Sequence, residues 1–239
     1  MNASYAKIVD TNVLTIIKGG KKERTNSALK SDGKPKATAA DPIRDIADVH
    51  ELQNYFREKG QLRNYLLVTL GISFALRAGD LLSIRLMDVY GANWEVKKEF
   101  YLYEDKTNKR NRIHINSVSK QALEEYRGMI KADKPDTTPL FASRKHDADG
   151  NCRAITIQQL NHILAEARKE IGIEDHISSH TFRKTHAYHM IKESNYDSQV
   201  LYALQHGFNH SDIRVTMIYS GIEDDMVDEV KERMGSLLI

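Results

Sequence analysis

The chain has a single cysteine, Cys152, among its 239 residues. One thiol cannot form an internal disulfide, and it cannot supply the several thiolates of a zinc site built from cysteines. A disulfide-stapled domain is therefore excluded. The same scarcity of cysteine leads us to expect a reducing, cytoplasmic setting.

Long apolar runs are also missing. No stretch reaches the roughly 18 apolar residues that would span a bilayer. The opening segment, MNASYAKIVD, lacks the basic-then-apolar order of a secretory leader. The sequence therefore predicts no membrane partner.

Neither sign of charge dominates, because the chain has 35 Lys and Arg and 33 Asp and Glu, which gives a formal net charge of +2. The distribution is uneven, however. Residues 1–41 carry eight basic and four acidic side chains, whereas residues 223–239 carry two basic and six acidic ones. A basic arm permits a polyanionic partner. A solvated mixed-charge surface would give the same counts, so charge alone identifies no partner.

Composition divides the chain into three parts. Residues 1–41 are rich in glycine, lysine and small residues, so we expect a flexible basic arm with a short β-like run at 13–17. A folded domain should span residues 42–222. An acidic amphipathic helix should occupy the tail, residues 223–239.

Helical periodicity dominates the predicted domain. A helix capped by Asp45 should end at Gly60, and residues 65–74 are apolar almost all round, as in a core helix. Two β-prone segments, 99–104 and 111–116, should form a hairpin. Further helices are expected at 80–84, 117–132, 156–171, 180–193, 197–206 and 212–218. The predicted fold class is α+β, mostly helical with a small antiparallel sheet.

Three short segments carry candidate chemistry. His180 and Arg183 lie three apart at an expected helix start, which Ser178 or Ser179 could cap. An imidazole, a guanidinium and free backbone N–H groups together suit a phosphate. A histidine and an arginine at this spacing also arise often by chance.

The second segment places Arg77 directly after a buried helix. A buried arginine needs an anion, since its desolvation is otherwise costly. A salt bridge to Asp80 or Asp88 would satisfy it, and so would a bound phosphate. In the third segment Tyr219 follows His210 by nine residues, yet it is one of eleven tyrosines.

Together these segments resemble the catalytic domain of the tyrosine recombinase (phage integrase) family over about residues 42–222. That family has a leucine–arginine motif with an acid three residues on, a lysine in a β-hairpin, a His-x-x-Arg box, and a histidine nine residues before a tyrosine. The matching site positions are Arg77, Lys106, His180, Arg183, His210 and Tyr219.

The resemblance implies a site-specific recombinase that cleaves and rejoins double-stranded DNA through a 3′-phosphotyrosine link, without metal or cofactor. Tyr219 would attack the phosphodiester, and Lys106 would protonate the departing 5′-oxygen. The two arginines are permanently charged forks suited to the charge that develops on the phosphate. His210 would add a donor, and His180 would accept the tyrosine proton or orient the phosphate.

Two departures from the family pattern stand out. Asn209 replaces the usual glycine before His210, and asparagine tolerates a left-handed backbone better than other non-glycine residues. The helical core-binding domain of the family has no counterpart in residues 1–41. We therefore expect that domain to be absent, which supports strand cleavage more than complete recombination by this chain.

Other interpretations stay open at this point. The chain could be an accessory DNA-binding protein that keeps the fold without strand exchange, or a nuclease or topoisomerase-like enzyme. Two histidine pairs have spacings at which one helix face can bind a metal: His186 with His189, and His206 with His210.

The tail has two interpretations of its own. Its apolar stripe comprises Met226, Val227, Val230 and Met234. The stripe could pack on a neighbouring protomer on DNA, as the resemblance implies, or fold back on its own domain.

Overall fold

The computed structural model describes residues 40–106, 108–130 and 137–238. The helices in these ranges are α1 (Ile46–Glu58), α2 (Leu62–Phe74), α3 (Ala78–Leu82), α4 (Leu86–Val89), α5 (Ser117–Arg127), α6 (Ile157–Ile171), α7 (Thr181–Glu193), α8 (Ser198–Gly207), α9 (Ile213–Ser220) and α10 (Glu223–Ser236). The strands are β1 (Glu99–Tyr103), β2 (Arg110–His114), β3 (Ala142–His146) and β4 (Cys152–Ala154). Most of the predicted arm, including the β-like run at 13–17, lies outside the described residues.

Local capping explains where the predicted helices begin and end. The Asp45 carboxylate accepts a hydrogen bond of 2.8 Å from the Ala47 N–H and starts α1. Thr156 and Gln159 form a reciprocal capping box at the start of α6. Gly172 ends that helix with a φ of +78°, a conformation that favours glycine. Both helices confirm the sequence prediction to within two residues.

The fold class is α+β, as predicted, but the strands form two small sheets rather than one. The first is the expected antiparallel hairpin of β1 and β2, in which Glu99 is paired with His114 and Phe100 with Ile113. The second pairs β3 with β4. Its strand β3 has the sequence ASRKH, which lacks the apolar alternation that would have signalled it.

Two apolar clusters hold the helices together. The larger one joins α1, α2, α5 and α6, and the smaller one lies among α7, α8 and α9. Helix α7 contributes Phe182 to the first cluster and Ala187 to the second. A Cβ at Gly71 would come within 2.3 Å of the Phe182 ring, so glycine is required for the close packing of α2 on α7.

Among the described residues, no helix combines the length and the apolarity that crossing a membrane requires.

Candidate active site

Arg183 lies at the centre of the candidate site. The residue is only 4% exposed, and its Nη1 and Nη2 atoms each donate a hydrogen bond of 2.9 Å, to the Ala75 and Phe208 carbonyl oxygens respectively. The guanidinium carbon also lies 4.0 Å from the centre of the Phe208 ring. Burial lowers the pKa of the guanidinium. Carbonyls from two distant segments thus fix the orientation of this cation, and the two bonds use two of its five N–H donors.

Arg77 is the N-cap residue of α3 and pairs with a carboxylate that sequence analysis did not single out. Its Nη1 donates to Glu104 Oε2 at 2.6 Å, and the Glu104 side chain is completely buried. The expected partners, Asp80 and Asp88, are therefore wrong. Asp80 instead accepts from the Asp105 N–H at 2.9 Å, and Asp88 accepts from the Arg85 N–H at 2.7 Å.

His210 is oriented by a buried hydroxyl. Its Nδ1 lies 3.0 Å from Oγ1 of Thr216, which is completely buried one turn into α9. The backbone is held as well, because the His210 N–H donates to the Gln205 carbonyl at 3.0 Å. Burial, with Arg183 and Arg77 nearby, lowers the pKa of the His210 ring.

Tyr219 lies on α9 beside His210. The two rings are 5.5 Å apart, and the Phe208 ring is 5.9 Å from Tyr219, both in edge-to-face geometry. The Lys184 ammonium lies 5.6 Å from the centre of the tyrosine ring and the Arg183 guanidinium 6.0 Å from it. Burial raises the pKa of the Tyr219 hydroxyl, and the positive charges of the two site arginines oppose that rise.

His180 begins α7 and is exposed to solvent. Its pKa is lowered by partial burial and by the charges of Lys184 and Arg183. The expectation that a serine caps this helix is wrong, since His180 itself is the N-cap residue. The Ser179 N–H instead donates to the Asn161 side chain at 2.7 Å.

Lys106 is the predicted site residue that lies on the hairpin. It is exposed in the turn that joins β1 to β2. The structure brings together Arg183, His210 and Tyr219. The charge of Arg77 affects the pKa of Tyr219 and of His210, and the charge of Arg183 affects the pKa of His180.

Sequence reasoning missed several residues that shape the site. Glu104 could have been sought, because a buried arginine demands a nearby carboxylate. Phe208 follows the end of α8, but nothing in its sequence context indicated that its carbonyl and ring would both contact Arg183.

The metal interpretation gains no support from the geometry. His186 and His189 each hydrogen-bond a backbone carbonyl at 2.9 Å, of Ile72 and Ile43 respectively. Within the described ranges no group of three or more His, Cys, Asp and Glu side chains is arranged to hold a metal ion. The first pair is thus accounted for by the packing of α7.

Comparison with known proteins gives one consistent result. The model of the phage integrase family matches residues 43–225. The chain is 32% identical to the probable integrase/recombinase YoeC of Bacillus subtilis over 196 residues, which cover 82% of this chain and 97% of YoeC. It is 25% identical to the tyrosine recombinase XerC of Caldanaerobacter subterraneus, covering 82% of this chain but only 52% of that protein.

Solved structures agree on the fold. The XerA recombinase superposes with a TM-score of 0.60 at 16% identity, covering 84% of this chain and 66% of XerA. XerH, in a post-cleavage complex with its palindromic difH substrate, superposes with a TM-score of 0.59 at 15% identity, covering 85% of this chain and 58% of XerH. The chain thus spans nearly all of YoeC but only 52 to 66% of the longer recombinases.

Proposed function

The chain belongs to the phage integrase family, and we propose that it is a tyrosine recombinase that breaks and rejoins double-stranded DNA through a 3′-phosphotyrosine intermediate. The observation that carries this proposal is the buried, carbonyl-anchored Arg183 beside the rings of His210 and Tyr219. An accessory DNA-binding protein would not need a tyrosine against an immobilised guanidinium.

In the proposed reaction the Tyr219 oxygen attacks the phosphorus of a DNA phosphodiester. A bond forms between that oxygen and phosphorus, and the bond from phosphorus to the 5′-oxygen breaks. Arg77, Arg183 and His210 stabilise the charge on the non-bridging oxygens. Lys106 donates the proton that the departing 5′-oxygen needs, so the products are a 3′-phosphotyrosyl link and a free 5′-hydroxyl.

The pKa directions support one assignment of the proton transfers. Since burial raises the pKa of Tyr219, the hydroxyl needs a base at neutral pH. His180 suits that role because its lowered pKa keeps the ring neutral. For His210, in the tautomer in which the Thr216 hydroxyl donates to Nδ1, the ring proton lies on Nε2, and a neutral His210 can then donate to phosphate.

We propose residues 42–222 as the catalytic domain, residues 1–41 as a basic arm that adds nonspecific DNA affinity, and residues 223–239 as a helical tail. The DNA-bound state of XerH and the similarity to YoeC, a probable integrase/recombinase, support a DNA substrate. A DNA substrate and a single thiol favour a cytoplasmic location.

The test of the proposed function is covalent capture. Supercoiled DNA carrying the sequence that flanks the gene is incubated with the protein and resolved on a denaturing gel. We expect a protein–DNA adduct with wild type and none with Tyr219→Phe, which lacks the attacking oxygen. DNA binding without an adduct in the wild type would favour the accessory role instead.

Self-association through the tail is a second part of the proposal. None of the residues of α10, all of them described, is buried, although Met226 packs against the smaller apolar cluster. Val230 and Met234 are 66% and 55% exposed, and both follow the anchored base of the helix, where Asp225 accepts from the Tyr188 hydroxyl. An exposed apolar stripe of this kind can pack against a second copy of the chain on DNA.

Replacing Val230 and Met234 with serine should reduce association on DNA, because the stripe would lose its apolar surface. Light scattering with and without DNA measures the oligomeric state of each variant. The control is Lys231→Ser, whose side chain is 70% exposed on the same helix. An unchanged oligomeric state in the double variant would rule out docking of the tail on a neighbouring protomer.

A further inference from the structure

Glu104 receives hydrogen bonds from three separate parts of the chain. Its carboxylate, completely buried, accepts from Arg77 at 2.6 Å, from Asn111 at 3.3 Å and from Asn209 at 3.1 Å. These donors lie at the start of α3, on β2, and in the loop before α9. One carboxylate therefore connects an arginine of the site, the hairpin and the segment that carries His210.

The backbone of Glu104 also closes the turn in which Lys106 lies. The Glu104 N–H donates to the Lys109 carbonyl at 3.0 Å, and the Asn108 N–H donates to the Glu104 carbonyl at 2.8 Å. A displacement of Glu104 would thus displace the turn. The residue fixes the hairpin through its backbone and the active-site arginine through its side chain.

The side chain of Asn209 contacts both Glu104 and Lys109. Its Nδ2 donates to Glu104 at 3.1 Å, while its Oδ1 accepts from the Lys109 ammonium at 3.3 Å. An amide offers a donor and an acceptor together, so it can satisfy an anion on one side and a cation on the other. Glycine at this position would contact neither, and aspartate would set two carboxylates against each other.

We infer that Asn209 and Glu104 form a positioning bridge, which holds the hairpin carrying Lys106 in register with His210 and Tyr219. Asn209 is then more than a tolerated substitute for glycine in a left-handed turn, where its φ is +54°. It fixes the position of the proton donor, Lys106, relative to the departing 5′-oxygen. The inference rests on the proposed function, since it assigns the bridge to the leaving-group step.

The variant Asn209→Gly tests the bridge, because glycine keeps the left-handed backbone and removes only the side chain. Two DNA substrates separate the steps. One has the natural 5′-oxygen at the scissile phosphate, and the other has sulfur there. A thiolate is a far weaker base than an alkoxide, with a thiol pKa of about 8.5, so it leaves without a proton from Lys106.

We expect Asn209→Gly to slow single-turnover cleavage of the oxygen substrate roughly 10- to 100-fold. Cleavage of the sulfur substrate should stay within about threefold of wild type, because positioning of the general acid no longer matters. Lys106→Ala should show the same selective rescue. The control is Asn195→Gly, which changes another left-handed asparagine, with a φ of +52°, in the loop between α7 and α8.

Equal slowing on both substrates would overturn the bridge, since the defect would then lie in binding or in attack by tyrosine. Cleavage at the wild-type rate on the oxygen substrate would overturn it as well. Glu104→Gln provides a second measurement: it keeps the side-chain shape but removes the charge that also pairs with Arg77, so it should slow both substrates, the oxygen substrate more than the sulfur substrate. Failure of the proposed function looks different, because wild type would then form no adduct with either substrate.

Discussion

The two sides of the proposed site are built in opposite ways. On the helical side Arg183 is buried and anchored to two carbonyls, and His210 and Tyr219 lie against the Phe208 ring. On the hairpin side Lys106 is exposed. Groups that stabilise developing charge benefit from being fixed before the reaction. A proton donor must instead reach an oxygen that belongs to a DNA strand, and an exposed turn gives it that access.

The largest effect is expected from a substitution at Arg183, the anchored arginine of the helical side. Arg183→Lys replaces a planar fork with a single ammonium that cannot reach both the Ala75 and Phe208 carbonyls while facing a phosphate. We expect single-turnover cleavage to fall about 1000-fold with DNA affinity little changed. Arg57→Lys, at an exposed pair with Glu125, is the matched control. Cleavage within tenfold of wild type, in a variant whose thermal melting is preserved, would show that the anchoring is not catalytic.

The hairpin side is tested by its two lysines. Lys106→Ala should slow cleavage about 100-fold, as expected for loss of a general acid. Lys109→Ala should have a smaller effect, because Lys109 acts through Asn209, whose oxygen is 3.3 Å from its ammonium. Single-turnover rates measure both. If Lys109→Ala proved the more damaging variant, Lys109 and not Lys106 would be the proton donor.

The smallest expected effect is the response to pH. The pKa values of His180 and His210 are both lowered from the ordinary 6.5, so both rings are neutral above that value. Cleavage should therefore stay level above pH 6.5 and decline as pH falls through the lowered values, since a protonated His180 cannot accept the tyrosine proton. DNA affinity should rise over the same range, because the rings gain positive charge. A cleavage rate that rises on acidification would contradict the assignment of His180 as base.

Periodicity and capping predicted most of the helices, since those signals are local. Helix α6 shows this well, because Thr156, Gln159 and Gly172 mark its ends within the sequence itself. The short strand β3 has no such signal, as its polar residues do not alternate with apolar ones. Its pairing with β4 depends on contacts that a single-sequence pattern does not contain.

The residues of the candidate site could be predicted from the sequence, but their contacts with each other could not. Order and spacing indicated all six positions, whose catalytic roles remain predictions. The partner of Arg77 lies 27 residues away at Glu104, and the expected partners Asp80 and Asp88 were nearer in sequence but wrong. The interaction of Asn209 with Glu104 spans 105 residues. Contacts of this kind follow from the packing of the whole domain.

The most direct test of the central claim is to map the protein–DNA linkage by mass spectrometry after protease and nuclease digestion of the trapped adduct. We predict one modified peptide, in which Tyr219 carries a nucleotide through its 3′-phosphate, and a 5′-hydroxyl on the released DNA end. A linkage to any other residue, or a nucleotide joined through its 5′-phosphate, would contradict the account.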